Sequence, residues 1–260
     1  MLPRTCGIHF SQISRAAWLV GTLLLLSAGD ALAQSNRNHV VIRDDVSVVH
    51  RQQLAKKLGA ITGFADLKFD RDGFLRAGNS QPAGGSPGAR ELIASAISGL
   101  NLVVIEQATN SVEVAFCRVI PGRWKKNAAS SPPVFVVQID FADFDQLIGD
   151  ERALEAFNVG WGLLHELDHI VNDSPDATSL SETGACEAHL NQMRRECNLP
   201  QRAAYFSTLL PLNADRNFTT RFVRLAFEEQ QSPATKTKRY WVIWDANVVG
   251  GLDPNQLAAL

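Results

Sequence analysis

The chain predicts an α+β fold in which a small mixed sheet packs on two helices, and three observations carry that expectation. Short runs rich in Val, Ile, Leu and Phe occupy residues 67–141 between turn signals. A long amphipathic helical pattern follows from Asp150, and a second helical stretch precedes two more strand-like runs near the C-terminus. The 260 residues carry a formal net charge of −2, which gives no reason to expect nucleic acid or an anionic membrane as a partner.

Residues 1–33 read as a secretory signal: Arg4 and Arg15 lead, an apolar run spans 16–27, and Ala31-Leu32-Ala33 forms a small-residue cleavage site. The apolar run is short for a membrane span, and nothing later in the sequence is long and apolar enough to be one. The expectation is an exported protein, periplasmic or extracellular, with a single domain over 34–260 and no membrane contact after cleavage. Export permits disulfides, and Cys117, Cys186 and Cys197 would remain. If 184–197 is one helix, Cys186 and Cys197 lie about 16 Å apart along it and cannot pair, so any bridge should involve Cys117.

Along the chain, residues 67–70 and 74–76 flank Asp70-Arg71-Asp72-Gly73 and suggest a hairpin. A Gly/Pro/Ser-rich loop over 78–88 leads to a helix over 89–100, then to strands over 102–106 and 112–119. A polar loop over 121–133 carries Trp124, Lys125 and Lys126, which could shape a pocket. Residues 134–141 read as a strand, with 134–140 the candidate sheet edge. Downstream, 219–227 and 236–244 suggest a hairpin.

The helical pattern rests on Ala153, Leu154, Phe157, Trp161, Leu164 and Leu167, which recur at three- and four-residue spacings. Asp150 is the expected N-cap, and Asn172-Asp173-Ser174-Pro175 the stop. Within this helix lies His165-Glu166-Leu167-Asp168-His169. Residues four apart share a helix face about 6 Å along the axis, so both imidazoles can converge on one metal ion, while Glu166 stands where it can take a proton from water activated there. Zinc is the metal this pattern implies.

Two histidines leave zinc short of protein ligands. Glu187, in the helical stretch 182–194, is the first choice for the third. Glu182 nearer the start of that helix, His189, Asp173 and Asp176 if the loop folds back, and the Cys186 thiolate stay open. His189 is about 200° around the helix from Glu187, so the two cannot face one ion. Asp168 reads as an outward-facing or supporting carboxylate.

The segment 165–173 resembles the active helix of thermolysin-type gluzincins, a family of zinc metallopeptidases. The resemblance covers about thirty residues and implies a zincin-like fold, zinc held by His165, His169 and Glu187, and peptide-bond hydrolysis with Glu166 as general base. In that family a carboxylate four residues beyond the ligand Glu orients the first His; here Asn191 stands at that position, without the charge. The spacing of Asn191, Arg194, Glu196, Pro200, Arg202 and Tyr205 is also similar to compact zincin domains of secreted effector proteases and toxins. Tyr205, close after the second helix, is the phenol placed to stabilise an oxyanion; Tyr240 is the other tyrosine. The expectation is therefore an exported zinc peptidase acting on a peptide or protein. The alternatives are a zinc-stabilised binding or scaffold protein that cleaves nothing, and a narrow-specificity toxin protease.

Overall fold

The computed structural model describes residues 39–109, 111, 113–122, 132–179, 182–209, 222–231 and 236–250. The expected signal segment and the Trp124 loop lie outside the described residues. In chain order the elements are β1 (Val40–Ile42), α1 (Val48–Thr62), β2 (Lys68–Phe69), β3 (Leu75–Arg76), α2 (Pro87–Ser98) and β4 (Leu102–Ala108). There follow β5 (Cys117–Pro121), β6 (Val134–Asp140), α3 (Phe141–Asp145), β7 (Ile148–Gly149), α4 (Glu151–Ala156) and α5 (Val159–Asn172). The remainder comprises α6 (Gly184–Glu196), β8 (Gln201–Arg202), β9 (Thr208–Leu209), β10 (Phe222–Gln231), β11 (Lys236–Asp245) and α7 (Ala246–Val249). The fold is α+β. Among the described residues no helix is long and apolar enough to cross a membrane.

The first sheet is mixed, in the order β1-β4-β6-β5. β1, β4 and β6 run parallel, and β5 is antiparallel to β6. Its alternating Val and Ile residues, Val103, Ile105, Val137 and Ile139, are buried against a core shared with α1, α2 and α5. Strand β6 therefore lies inside the sheet, which corrects its assignment as the edge. The edges are β1 and β5, and the strand expected over 112–119 begins only at Cys117. Pro121, which has no N–H to donate, closes β5 where an edge tolerates proline.

The predicted hairpin forms as β2 and β3. Asp70 Oδ1 accepts from the amides of Asp72 and Phe74. Gly73 adopts φ +83°, and a Cβ there would come 2.5 Å from the Ile42 carbonyl, so only glycine suits this turn. The helix expected over 89–100 forms as α2, with Ser86 capping the Ala89 amide and Pro87 in the first turn.

A single helix from Asp150 does not form. The chain breaks at Phe157 and Asn158 into α4 and α5. Asn158 competes with the helical backbone: its amide donates to Glu155 O and its carbonyl caps the Gly160 amide. The break also swings Phe157 into a second core, where it meets Phe116, Phe227 and Trp244. Asp150 makes no side-chain cap; its carboxylate accepts from the Trp241 amide and ties α4 to β11. α5 then buries Leu163, Leu164 and Leu167 completely, each contributing about 2 kcal/mol of apolar burial.

The second sheet runs β7-β11-β10-β8, with β9 also on β10. Its centre is the expected hairpin, formed by β10 and β11 and described from Phe222; residues 219–221 lie outside the described residues. Val223, Leu225, Phe227, Tyr240, Val242 and Trp244 face the second core. Cys117, Cys186 and Cys197 are all free thiols, so no bridge joins them.

Asp143 in α3 is buried where the two cores approach and accepts from the Phe116 amide. Burial raises its pKa to about 6, against that hydrogen bond and with help from nearby Asp140. The folded state thus binds more protons than the unfolded state between about pH 4 and pH 6, and stability falls as pH rises through that window. Urea unfolding at several pH values should show this decline, and Asp143→Asn should flatten it; an equal slope in the variant would contradict the assignment.

Candidate metal centre

The face of α5 that carries His165, Glu166 and His169 looks into a cavity of about 360 Å3 between β5, α6 and the segment after it. Gly162 permits the close approach, since a Cβ there would come 2.8 Å from Cys117 Sγ and 3.0 Å from Phe144 Cζ. α5 ends at Asn172 as the stop signal predicts, with Asp173 in the left-handed region at φ 52°.

The loop beyond folds back over the histidines. Asp176 pairs with Gly184 in an isolated bridge, and the Ala185 and Cys186 amides both donate to Pro175 O. These bonds fix the Asp176 carboxylate against the helix. His165 Nε2 and His169 Nε2 lie 3.1 Å apart, and Asp176 Oδ1 lies 3.2 Å from the first and 3.4 Å from the second. Ligands about 2.0–2.1 Å from a tetrahedral zinc stand roughly 3.3 Å from one another, so the triangle has the size such an ion requires.

Proton bookkeeping points the same way. His169 Nδ1 lies 2.6 Å from Ser174 O, a carbonyl that can only accept, so the ring proton is on Nδ1 and Nε2 presents a lone pair. His165 Nδ1 likewise faces acceptors, Cys186 Sγ at 3.3 Å and Glu187 Oε2 at 3.6 Å. Asp176 Oδ1 is buried and has no hydrogen-bond partner. Atoms converging in this way are satisfied by a shared proton between His165 and Asp176 or by a cation. The group His165, His169, Asp176 and Cys186 could hold a metal ion, and it carries the buried orphan oxygen that such a site would satisfy.

The surrounding carboxylates favour a proton on His165, one that metal binding would have to displace. Burial alone would lower the His165 pKa, but Asp176, Cys186 and Glu187 together hold it well above the usual histidine value. Burial would raise Asp176, yet His165, Tyr205 and His169 keep it below the ordinary carboxylate range. Glu166, 6% exposed, is raised by burial against the opposing pull of both histidines.

The structure does not bring Glu187 to the metal-facing nitrogens, which corrects its place as first choice for the third ligand. It is fully buried, with Oε1 on Arg194 Nη1 and Oε2 accepting from Arg202 Nη1 at 2.9 Å. Those guanidiniums hold its carboxyl well below the usual range against the cost of burial. Arg194, 1% exposed, stacks on Trp161 and Phe227 and donates to Ala156 O, so the cluster joins α6 to α4, α5 and the β10–β11 hairpin. Asn191 does not orient His165 either. It pairs with Arg202 through both its amide and its carbonyl, and also accepts from Arg194.

Of the other candidates, Glu182 is exposed and outside the group, and Asp173 caps the helix. His189 is half exposed and pairs with buried Asp168 at 3.0 Å on the far face of α5, where Asp168 also accepts from Asn172. Tyr205 does reach the site. Its ring stacks on His165 at 6.2 Å and its hydroxyl engages Asp176, while Arg202 covers the ring at 4.8 Å. Tyr240 is remote from the site, bonded to Glu229.

Compared with protein-family models, curated proteins and solved structures, the chain matches none.

Removing one partner of a buried ion cluster leaves the others uncompensated. Glu187→Gln should therefore lower unfolding free energy by about 3 kcal/mol or more, read by urea denaturation. A change within error of wild type would show that the cluster is not the anchor described.

Proposed function

We propose that this protein is an exported zinc-dependent peptidase with a zincin-like active site, in which His165, His169 and Asp176 hold the metal and Glu166 is the general base. The observation that carries this reading is the convergence of two Nε2 atoms, one helical turn apart in the chain, and the orphaned Oδ1 to within 3.4 Å of one another, with a buried carboxylate beside them. Imidazole and carboxylate ligands in a tetrahedral arrangement favour zinc. The third ligand, a carboxylate, comes from a loop seven residues past the second histidine, a departure from the thermolysin-type pattern of a glutamate on the next helix.

When bound, the ion supplies a Lewis acid that polarises a carbonyl and acidifies water. Everything else falls to the chain. Glu166, its pKa raised by burial, takes a proton from the attacking water and passes it to the leaving amine. Tyr205 steadies Asp176 by its hydroxyl and His165 by its ring. That assignment replaces oxyanion stabilisation, because its hydroxyl is already engaged.

A peptide substrate is supported by β5. Asp140 donates to Phe116 O at 2.9 Å and Gly122 to Val134 O at 2.7 Å, so residues of even number face β6. Cys117, Val119 and Pro121 therefore turn their backbone away from β6, beside α5; the Cys117 amide already donates to Ala115 O, the Val119 amide to Glu166, and Pro121 has none, so this edge offers carbonyls only. An extended peptide can lay its own N–H groups against those carbonyls. The second reading, a metal-stabilised scaffold, is favoured by one observation: Cys186 falls within 4.8 Å of the other three ligand atoms and as a fourth ligand would close the coordination sphere.

Glu166→Gln should retain zinc and lose peptide hydrolysis by about 100-fold or more, measured on unstructured protein substrates with the mature chain. Undiminished hydrolysis in that variant would remove the mechanism.

A further inference from the structure

We propose that Cys186 is a positioning residue whose sulfur accepts the Nδ1 proton of His165, fixing that ring with its Nε2 lone pair toward the metal, and is not a ligand itself. This rests on the metal reading given above and decides between its open and closed forms.

The sulfur is fully buried at the start of α6. It lies 3.3 Å from His165 Nδ1 and 3.5 Å from the His165 carbonyl, to which its thiol can donate. A thiol proton given to that carbonyl, the only pure acceptor of the two, leaves the sulfur to accept from Nδ1, which places the imidazole proton on Nδ1. The neutral ring then offers a lone pair only at Nε2, the nitrogen 3.1 Å from His169 and 3.2 Å from Asp176. The two nitrogens of an imidazole point away from each other. A sulfur against Nδ1 is thus on the wrong side of the ring to share an ion bound at Nε2.

Glu187 is the obvious rival for this role, because carboxylates commonly orient metal-binding histidines. Its Oε2, however, stands 3.6 Å from Nδ1, beyond hydrogen-bond range, and already accepts from Arg202. Its other oxygen is taken by Arg194. The thiol fills the place that the carboxylate leaves. His169 uses a different partner for the same end, the Ser174 carbonyl at 2.6 Å. Both rings are thereby locked in one tautomer, and three protein ligands leave a fourth position open to the cavity.

The test is cobalt and zinc titration of the mature chain and of its Cys186→Ala, Cys186→Ser and His169→Ala variants, with the absorption spectrum of the cobalt forms. The expected cobalt spectrum has visible ligand-field bands and no near-ultraviolet thiolate-to-cobalt band. Cys186→Ala should weaken affinity for both metals about 10- to 100-fold, as loss of a supporting hydrogen bond to a ligand does. Cys186→Ser, which keeps an acceptor beside Nδ1 and a donor to the carbonyl, should recover affinity to within a few-fold of wild type. A thiolate-to-cobalt band lost in Cys186→Ala would make Cys186 a ligand and overturn the inference. Unchanged affinity in Cys186→Ala, with binding still abolished by His169→Ala, would overturn it while leaving the metal centre standing. No binding by the wild-type chain would overturn both.

Discussion

Three polar atoms converge on one place: the Nε2 atoms of His165 and His169 and Oδ1 of Asp176, all within 3.4 Å. Away from bulk water such a cluster is costly unless a proton or a cation is shared at its centre. Much of the surrounding architecture serves to hold these atoms in place. Leu163, Leu164 and Leu167 press α5 into the first core, so the opposite face presents the histidines to the cavity. The bonds from Ala185 and Cys186 to Pro175 hold the returning loop, and with it Asp176, against that face.

A second constraint keeps α6 in register with α5. The carboxylate of Glu187 is buried only because Arg194 and Arg202 meet both its oxygens, and those guanidiniums are in turn stacked on Trp161, Phe227, Phe157 and Tyr205. The cluster links the two cores exactly where the cavity opens. A residue that looked like a ligand from its position in the chain is therefore the post on which the ligands' supports are mounted. The distinction matters for mutation, because losing Glu187 loosens the frame while losing Asp176 empties the coordination triangle.

Much of this was legible in the sequence, for identifiable reasons. The histidine pair and Glu166 depend on helical periodicity, a local property, and the structure places them on one face as that periodicity requires. The hairpin at Asp70-Arg71-Asp72-Gly73, α2 and the β10–β11 hairpin also follow from local turn and cap chemistry. What failed depended on long-range packing. The break at Asn158 arises because Phe157 is needed in the second core, which no window around residue 157 reveals. The sheet edge passed from β6 to β5 because strand order is not written in strand composition. Asp176 was one loop acid among several; the signal available was the Pro175 beside it, whose carbonyl receives two helix amides and sets the loop's return. The place of Glu187 was missed because the arginines that capture it, seven and fifteen residues later, read as surface charges.

The most direct test of the metal centre is the metal content of the purified mature chain by elemental mass spectrometry, with Asp176→Asn and Glu187→Gln measured in parallel on folded material. One zinc per chain in the wild type and in Glu187→Gln, with zinc lost from Asp176→Asn, is the result this account predicts. Zinc kept by Asp176→Asn but lost from folded Glu187→Gln, or no metal in the wild type after reconstitution, would contradict it.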